Sequence, residues 1–175
     1  MMLSLLSWGL VLPASAAQMT SVSDTLSDSD LSASAIHSLA WTDGTALVAL
    51  DTITVTWDAG FTGVAGLTFA DLSATGMTLV DVVGSCTAAD QVYPSAASET
   101  LTLTVCTAGL AAGAKTLTVD ALTNPSSPGS KSITIANGTD TGVAMVAIID
   151  DVSVTAAVGS TFTFAIASGD AGTMG

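Results

Sequence analysis

Arginine is absent from this chain of 175 residues, and Lys115 and Lys131 are its only lysines. Fifteen acidic residues, of which only Glu99 is not aspartate, give a formal net charge of −13. Proteins bind phosphate with clustered lysine and arginine, so this chain is not expected to bind nucleic acid or anionic lipid headgroups. An acidic surface of this kind keeps a protein soluble and attracts cations.

Long apolar runs are also missing beyond the N-terminus. Charged residues make up only 10% of the chain and the mean hydropathy is +0.67, but no later stretch holds eighteen consecutive apolar residues. Serine and threonine carry most of the polarity in place of charge. The sequence therefore predicts no membrane-spanning segment in the mature chain.

What the chain does contain is strict alternation. In residues 51–57, Ile53, Val55 and Trp57 alternate with threonines, which is the pattern of a half-buried β-strand. Similar segments recur every 8–12 residues or so between Gly, Asn, Asp and Pro, which is typical of an antiparallel sandwich. No convincing helix is found. The predicted fold is an all-β, antiparallel Ig-like β-sandwich of about ten strands, at 36–41, 47–57, 67–69, 77–83, 100–106, 115–120, 132–136, 143–149, 152–156 and 162–166. The nearly continuous apolar run 143–149 predicts a strand buried on both faces.

The N-terminus divides into two parts. Residues 1–17 contain an apolar run, a proline and small residues suited to cleavage, and are predicted to be a signal peptide, although no basic residue precedes the run. Residues 18–35 are rich in Ser, Thr and Asp and are predicted to be an N-terminal arm or an edge strand. Residues 36–175 form the predicted β-sandwich domain, and the mature protein is expected to be secreted or held at the cell surface.

Cys86 and Cys106 are the only cysteines. An even number of cysteines in an exported chain favours a disulfide, and neighbouring strands can bring these two together. Closing a loop of this length stabilises a protein by about 3 kcal/mol in the chain-entropy model. Two free buried thiols are the alternative, and the spacing fits no zinc or redox motif.

Acid clusters raise the question of calcium. Asp24, Asp28 and Asp30 could supply hard oxygen ligands, and Asp150 and Asp151 form a second pair. Neither cluster matches the calcium-binding EF-hand loop, and solvated turn residues are the favoured interpretation. No cofactor is predicted, with Ca²⁺ at Asp24, Asp28 and Asp30 as the alternative.

His37 is the only histidine. A Ser-His-Asp triad would need it beside a nucleophile and an orienting acid, and no GxSxG motif is present. A structural or exposed strand histidine is the favoured interpretation. No catalytic residue is predicted, and the protein is not expected to be an enzyme.

The order of several segments resembles uncharacterised secreted proteins of candidate-phyla (Patescibacteria-type) bacteria. The resemblance is carried by 19–27, 36–41 and 51–55 with Gly60 and Phe61, and by 123–130, 133–135, 152–156 and 162–164. It implies an exported Ig-like β-sandwich, often a module of a longer surface protein. It brings no functional residues.

Two functions remain. The first is an exported structural or assembly protein of the cell surface, such as a filament, pilin-like or surface-layer subunit. Its partners would be copies of itself or other cell-surface proteins, and residues 18–31 could add to a neighbour's open sheet edge. The alternative is an adhesin-like module that binds glycan or protein, with or without Ca²⁺, through loops after Gly60, at 88–98 and at 124–129.

Overall fold

The computed structural model describes residues 18–138 and 140–150, together with Gly159. The predicted signal peptide and the strands predicted at 152–156 and 162–166 lie outside the described residues. So does Asp151 of the second acidic pair. No helix among the described residues is long and apolar enough to cross a membrane.

Two β-sheets pack face to face, which confirms the predicted all-β sandwich. One sheet has the order β1-β2-β8-β4 and the other has the order β10-β9-β3-β7-β6-β5. All pairs are antiparallel except β5 with β6. The strands are β1 Thr20–Leu26, β2 Ser34–Asp43, β3 Thr52–Trp57, β4 Leu72–Thr75, β5 Thr78–Leu79, β6 Gln91–Ala97, β7 Thr100–Val105, β8 Gly113–Thr123, β9 Gly129–Asn137 and β10 Asp140–Ile148.

The core lies between the inner faces of the two sheets. Ile53, Val55 and Trp57 of β3 are buried there, as their alternation predicts, and they pack with residues of β7 and β9. The opposite face of the six-stranded sheet is lined by threonines without charge, with Thr52, Thr54 and Thr56 paired to Thr104, Thr102 and Thr100. Burial of the inner aliphatic side chains is the main stabilising contribution.

Three local predictions are wrong. Residues 67–69 are not a strand, because the chain there forms the 3₁₀ turns Val64–Gly66 and Phe69–Asp71. The prediction for 77–83 shrinks to the two residues of β5. The loop predicted at 88–98 contains β6. Proline is tolerated in this strand because Pro94 lies beyond Val92, the last residue of β6 that pairs with β5, so no partner strand needs an N–H at this position.

β10 is the fourth correction. It is an edge strand of the six-stranded sheet and is not buried on both faces. Ala144, Val146 and Ile148 face the core, whereas Val143 and Met145 are exposed. An apolar run can therefore alternate in burial even where it does not alternate in residue type.

β1 occupies the edge of the four-stranded sheet. It pairs with β2 of its own chain from Thr20 to Leu26, and the loop after it joins the end of β10, where Ile149 N–H donates to the Ser29 carbonyl at 2.9 Å. Gly142 of β10 allows this approach, since an added Cβ would lie 2.2 Å from a Val22 methyl. The segment predicted as an arm or edge strand thus pairs within its own chain.

Candidate functional site

Four large aliphatic side chains are exposed at one end of the sandwich. Val48 and Leu50 lie in the β2–β3 loop and are 67% and 77% exposed, while Val82 and Val83 lie before β6 and are 51% and 68% exposed. Leu50 and Val83 line the same groove. We call these four residues the apolar end. Single exposed aliphatic residues are common, but two that line one groove, each with a second exposed aliphatic residue close by in sequence, indicate an interaction surface.

The backbone holds Leu50 in its exposed position. Leu50 N–H donates to the Val105 carbonyl at 3.0 Å, and Val105 N–H donates to the Asp51 carbonyl at 2.8 Å, which extends the β3–β7 pairing. The Asp51 carboxylate accepts the Val48 N–H at 2.8 Å. Leu50 has a φ of 70°, a left-handed conformation that is unfavourable for a bulky side chain. Exposure and strain at one residue point to a functional constraint.

A disulfide fixes the other side of the groove. Cys86 and Cys106 are bonded, with their Cα atoms 5.0 Å apart, as predicted. The bond joins the 3₁₀ turn Val83–Ser85 to the end of β7. Gln91 supports the turn, because its side-chain oxygen accepts the Thr87 and Ala88 N–H groups.

The groove between the two loops is apolar. Its volume is about 250 Å³, and it is lined by Leu50, Val83, the disulfide, and Tyr93, Thr104, Val105 and Thr107. Threonine, tyrosine and backbone groups supply the few polar atoms nearby. No charged side chain lines it, which suits an apolar partner better than a sugar or an ion.

A polar cluster is buried at the end of β2. Oδ1 of Asp43 accepts a hydrogen bond from the Trp41 indole at 3.0 Å and another from the Asn137 side chain. The Lys115 ammonium lies 4.0 Å from Oδ2 and donates to the Ala111 carbonyl at 2.8 Å. Burial raises the pKa of Asp43, against the opposing effects of Lys115 and the two hydrogen bonds.

This cluster links the two sheets. Asp43 ends β2 in one sheet, and Asn137 ends β9 in the other. Both residues are buried, which leaves no route by which a substrate could reach the carboxylate directly. The cluster therefore acts as a structural tie near the apolar end.

His37 is buried, which rules out the exposed alternative and leaves a structural histidine. Its Nδ1–H donates to Oδ2 of Asp24 at 2.7 Å, and both side chains are fully buried. Trp57 Nε1 lies 3.3 Å from the same nitrogen, but a nitrogen that donates to Asp24 cannot also accept from Trp57, so the shorter contact is the hydrogen bond. Within the described chain, Nε2 has no hydrogen-bond partner, and no hydroxyl stands in a nucleophile's place.

The three aspartates considered for calcium do not form one site. Asp24 points to His37, whereas Asp28 accepts the Asp30 backbone N–H at 2.9 Å. The Asn124 side chain donates to the carbonyls of Asp28 and Asp30, at 3.0 Å each, and so holds this loop in place. Within residues 18–138 and 140–150, no three His, Cys, Asp or Glu side chains gather where they could hold a metal.

Two of the three loops considered for an adhesin meet near the opposite end. A Cβ added to Gly60 would lie 3.2 Å from Pro125, so the turn after β3 contacts the loop before β9. The third segment, 88–98, is mostly β6, and only its last residue, Ser98, lies in the turn whose Glu99 carbonyl accepts the Trp57 N–H near these loops.

Comparison with protein-family models and with curated proteins finds no match. Among solved structures, a similar chain is described as the crystal structure of BslA, a bacterial hydrophobin. The similarity has a TM-score of 0.49 at 16% sequence identity, and it covers 77% of this chain and 98% of that chain.

Proposed function

We propose that this protein is an exported structural protein of the cell surface that assembles by placing its apolar end on an apolar surface. The observation that carries the proposal is Leu50, a large aliphatic side chain that is 77% exposed on strained backbone within a hydrogen-bonded loop. Val83 lines the same groove from the disulfide-bonded turn. Burying such side chains removes apolar area from water at about 25 cal/mol per Å².

The distribution of charge supports an oriented contact. The chain carries a net charge of −13, but no charged side chain lines the groove at the apolar end. An apolar group can therefore fill the groove itself without covering a carboxylate, and the nearby Asp51 carboxylate is engaged by the Val48 N–H. The proposal includes no catalytic step, since the only histidine is fully buried.

The test is to let the mature protein adsorb to an oil–water interface and to record the interfacial tension over time. Leu50→Asp and Val83→Asp together should slow the fall in tension at least about tenfold, because two charges must then be desolvated. Aspartate tolerates the left-handed conformation at position 50 better than leucine, so the fold should be kept.

Ser34→Asp with Ser38→Asp is the matched control. Both serines are exposed on the outer face of β2, and the changes add the same two charges away from the apolar end. Equal adsorption of the wild type, the Leu50→Asp, Val83→Asp variant and this control would refute the proposal.

A further inference from the structure

The free edge of β10 is the second unusual surface of the molecule. Edge strands usually carry lysine, proline, a bulge or an inward charge that discourages pairing with other chains. β10 runs for nine residues in unbroken register with β9, and Asp140 is its only charged residue. Val143 and Met145 expose 50% and 60% of their surface on its outer face.

The direction of the backbone groups follows from the hairpin. Asn137 and Asp140 pair across a two-residue connection, so even-numbered residues of β10 exchange hydrogen bonds with β9. The odd-numbered residues Thr141, Val143, Met145 and Ala147 therefore direct their N–H and C=O groups away from β9. Ile149 continues this pattern, because its N–H donates outward to Ser29.

Among the described residues no strand is paired with this edge, although β1 packs against the core-facing side of β10 at Gly142. The six-stranded sheet ends at β10, and no described strand pairs with it beyond β9. Towards β1, a groove of about 280 Å³ separates Met145 and Ala147 from Asp24, Thr25, Leu26 and Ser29. The outward N–H and C=O groups are therefore available to another strand.

We propose that β10 pairs antiparallel with β10 of a second copy of this chain, about a two-fold axis at Ala144. In this register Val143 lies opposite Met145 of the second copy, and Thr141 lies opposite its Ala147. This register pairs all four outward-directed residues of each copy and forms about eight hydrogen bonds. A two-fold axis at Val143 or Met145 would leave some of these outward-directed residues unpaired.

The partner is a second copy because the edge is complementary to itself. The outer-face pairs are apolar or neutral in both directions, so two molecules with a charge of −13 can meet here without opposing carboxylates. Asp140 is buried and does not face the neighbouring strand. The two six-stranded sheets would join into one continuous sheet. This interface is independent of the apolar end.

Sedimentation and light scattering of the mature protein in bulk solution test the proposal. The wild type should shift from monomer to dimer as its concentration rises. Val143→Asp with Met145→Asp places like charges opposite one another in two pairs, and should raise the dimer dissociation constant about a hundredfold. Thr102→Asp with Thr104→Asp is the control, because it adds the same charges at the same spacing on β7 of the same face.

Amide hydrogen exchange locates the contact. The amides of Val143 and Met145 should be protected only at concentrations where the dimer forms, whereas those of Ala144 and Val146 should be protected throughout by β9. A dimer that persists in the Val143→Asp, Met145→Asp variant would overturn the proposal. So would a wild-type monomer, whether its Val143 and Met145 amides exchange freely or are protected by another segment of its own chain.

Leu50→Asp with Val83→Asp separates this proposal from the proposed function. That variant should keep the dimer in solution while losing adsorption. If the variant keeps both the dimer and adsorption, only the proposed function is contradicted. If the wild type adsorbs but stays monomeric in solution, only the β10 proposal is contradicted.

Discussion

Leu50 and Asp43 lie near the same end of the sandwich but serve opposite purposes. Leu50 presents an apolar side chain to solvent from a left-handed backbone conformation, whereas Asp43 is a carboxylate withdrawn from solvent. Each conformation or location costs free energy, so each needs a compensating interaction. For Asp43 the hydrogen bonds from Trp41 and Asn137 supply it, and for Leu50 we propose that contact with an apolar surface does.

Asp43 makes folding stability depend on pH. Burial raises its pKa above the ordinary value of 3.8, so the folded protein binds this proton more tightly than the unfolded chain does. The stabilisation from this proton is fully present below about pH 3.8 and is lost as the pH rises through the raised pKa.

Asp43→Asn replaces the titratable carboxyl group with a neutral amide and so tests this pH dependence of stability. The free energy of unfolding of the wild type, relative to the variant, should increase as the pH falls from 7 to about 4, as measured by urea unfolding at each pH. Asp28→Asn, in an exposed loop, is the control for a general loss of negative charge. A difference between wild type and Asp43→Asn that stays constant with pH would contradict the assignment.

At the scale of elements, the sequence predicts strands well where aliphatic residues alternate with threonine. β3 and β7 follow this pattern, and their burial alternates as expected. The sequence does not predict β6, because its proline, serine and alanine residues give no clear alternation of apolar and polar side chains. Its position depends instead on pairing with β7, which is a tertiary contact. The pairing of two cysteines was predictable because there are only two.

The apolar end was not predictable in the same way. The prediction for 47–57 treated Val48 and Leu50 as part of a strand, whereas β3 begins at Thr52. The one signal was that Leu47-Val48-Ala49-Leu50 breaks the alternation with threonine. Burial of Leu47 and exposure of Leu50 depend on how the loop crosses between the sheets, which local pattern does not encode.

The disulfide should matter for both stability and the groove. Replacing Cys86 and Cys106 with serine should lower the free energy of unfolding by about 3 kcal/mol, because the reduced unfolded chain gains the freedom of the loop that the bond closes. Urea unfolding measures the loss. Reductant should produce a similar loss in the wild type and none in the variant, and equal stability of the two proteins without reductant would contradict the prediction.

Across the whole molecule, the described strand faces carry little charge. The outer face of the six-stranded sheet carries threonine and small residues, with Val143 and Met145 on β10, while acids such as Asp58, Asp90 and Glu99 lie in turns between strands. Composition predicted an acidic exported β-protein with uncharged strand faces. It could not reveal the apolar end, which combines residues distant in sequence, or the apolar edge, which depends on the position of β10 in the sheet.

The two proposed contacts serve different states of the protein. Antiparallel pairing of β10 about a two-fold axis directs the apolar ends of the two copies in opposite directions, so one dimer presents only one apolar end to a given surface. The arm predicted at 18–31 is not needed as a donor strand, because its residues Thr20–Leu26 pair within the chain.

The most direct measurement is negative-stain electron microscopy of the mature protein spread at an air–water interface, beside light scattering of the same protein in bulk. We expect a continuous layer at the interface and small, discrete species in bulk. Leu50→Asp with Val83→Asp should abolish the layer, while Ser34→Asp with Ser38→Asp should retain it. Dispersed single molecules of the wild type at the interface, or a layer unchanged by Leu50→Asp with Val83→Asp, would show that the apolar end does not drive assembly.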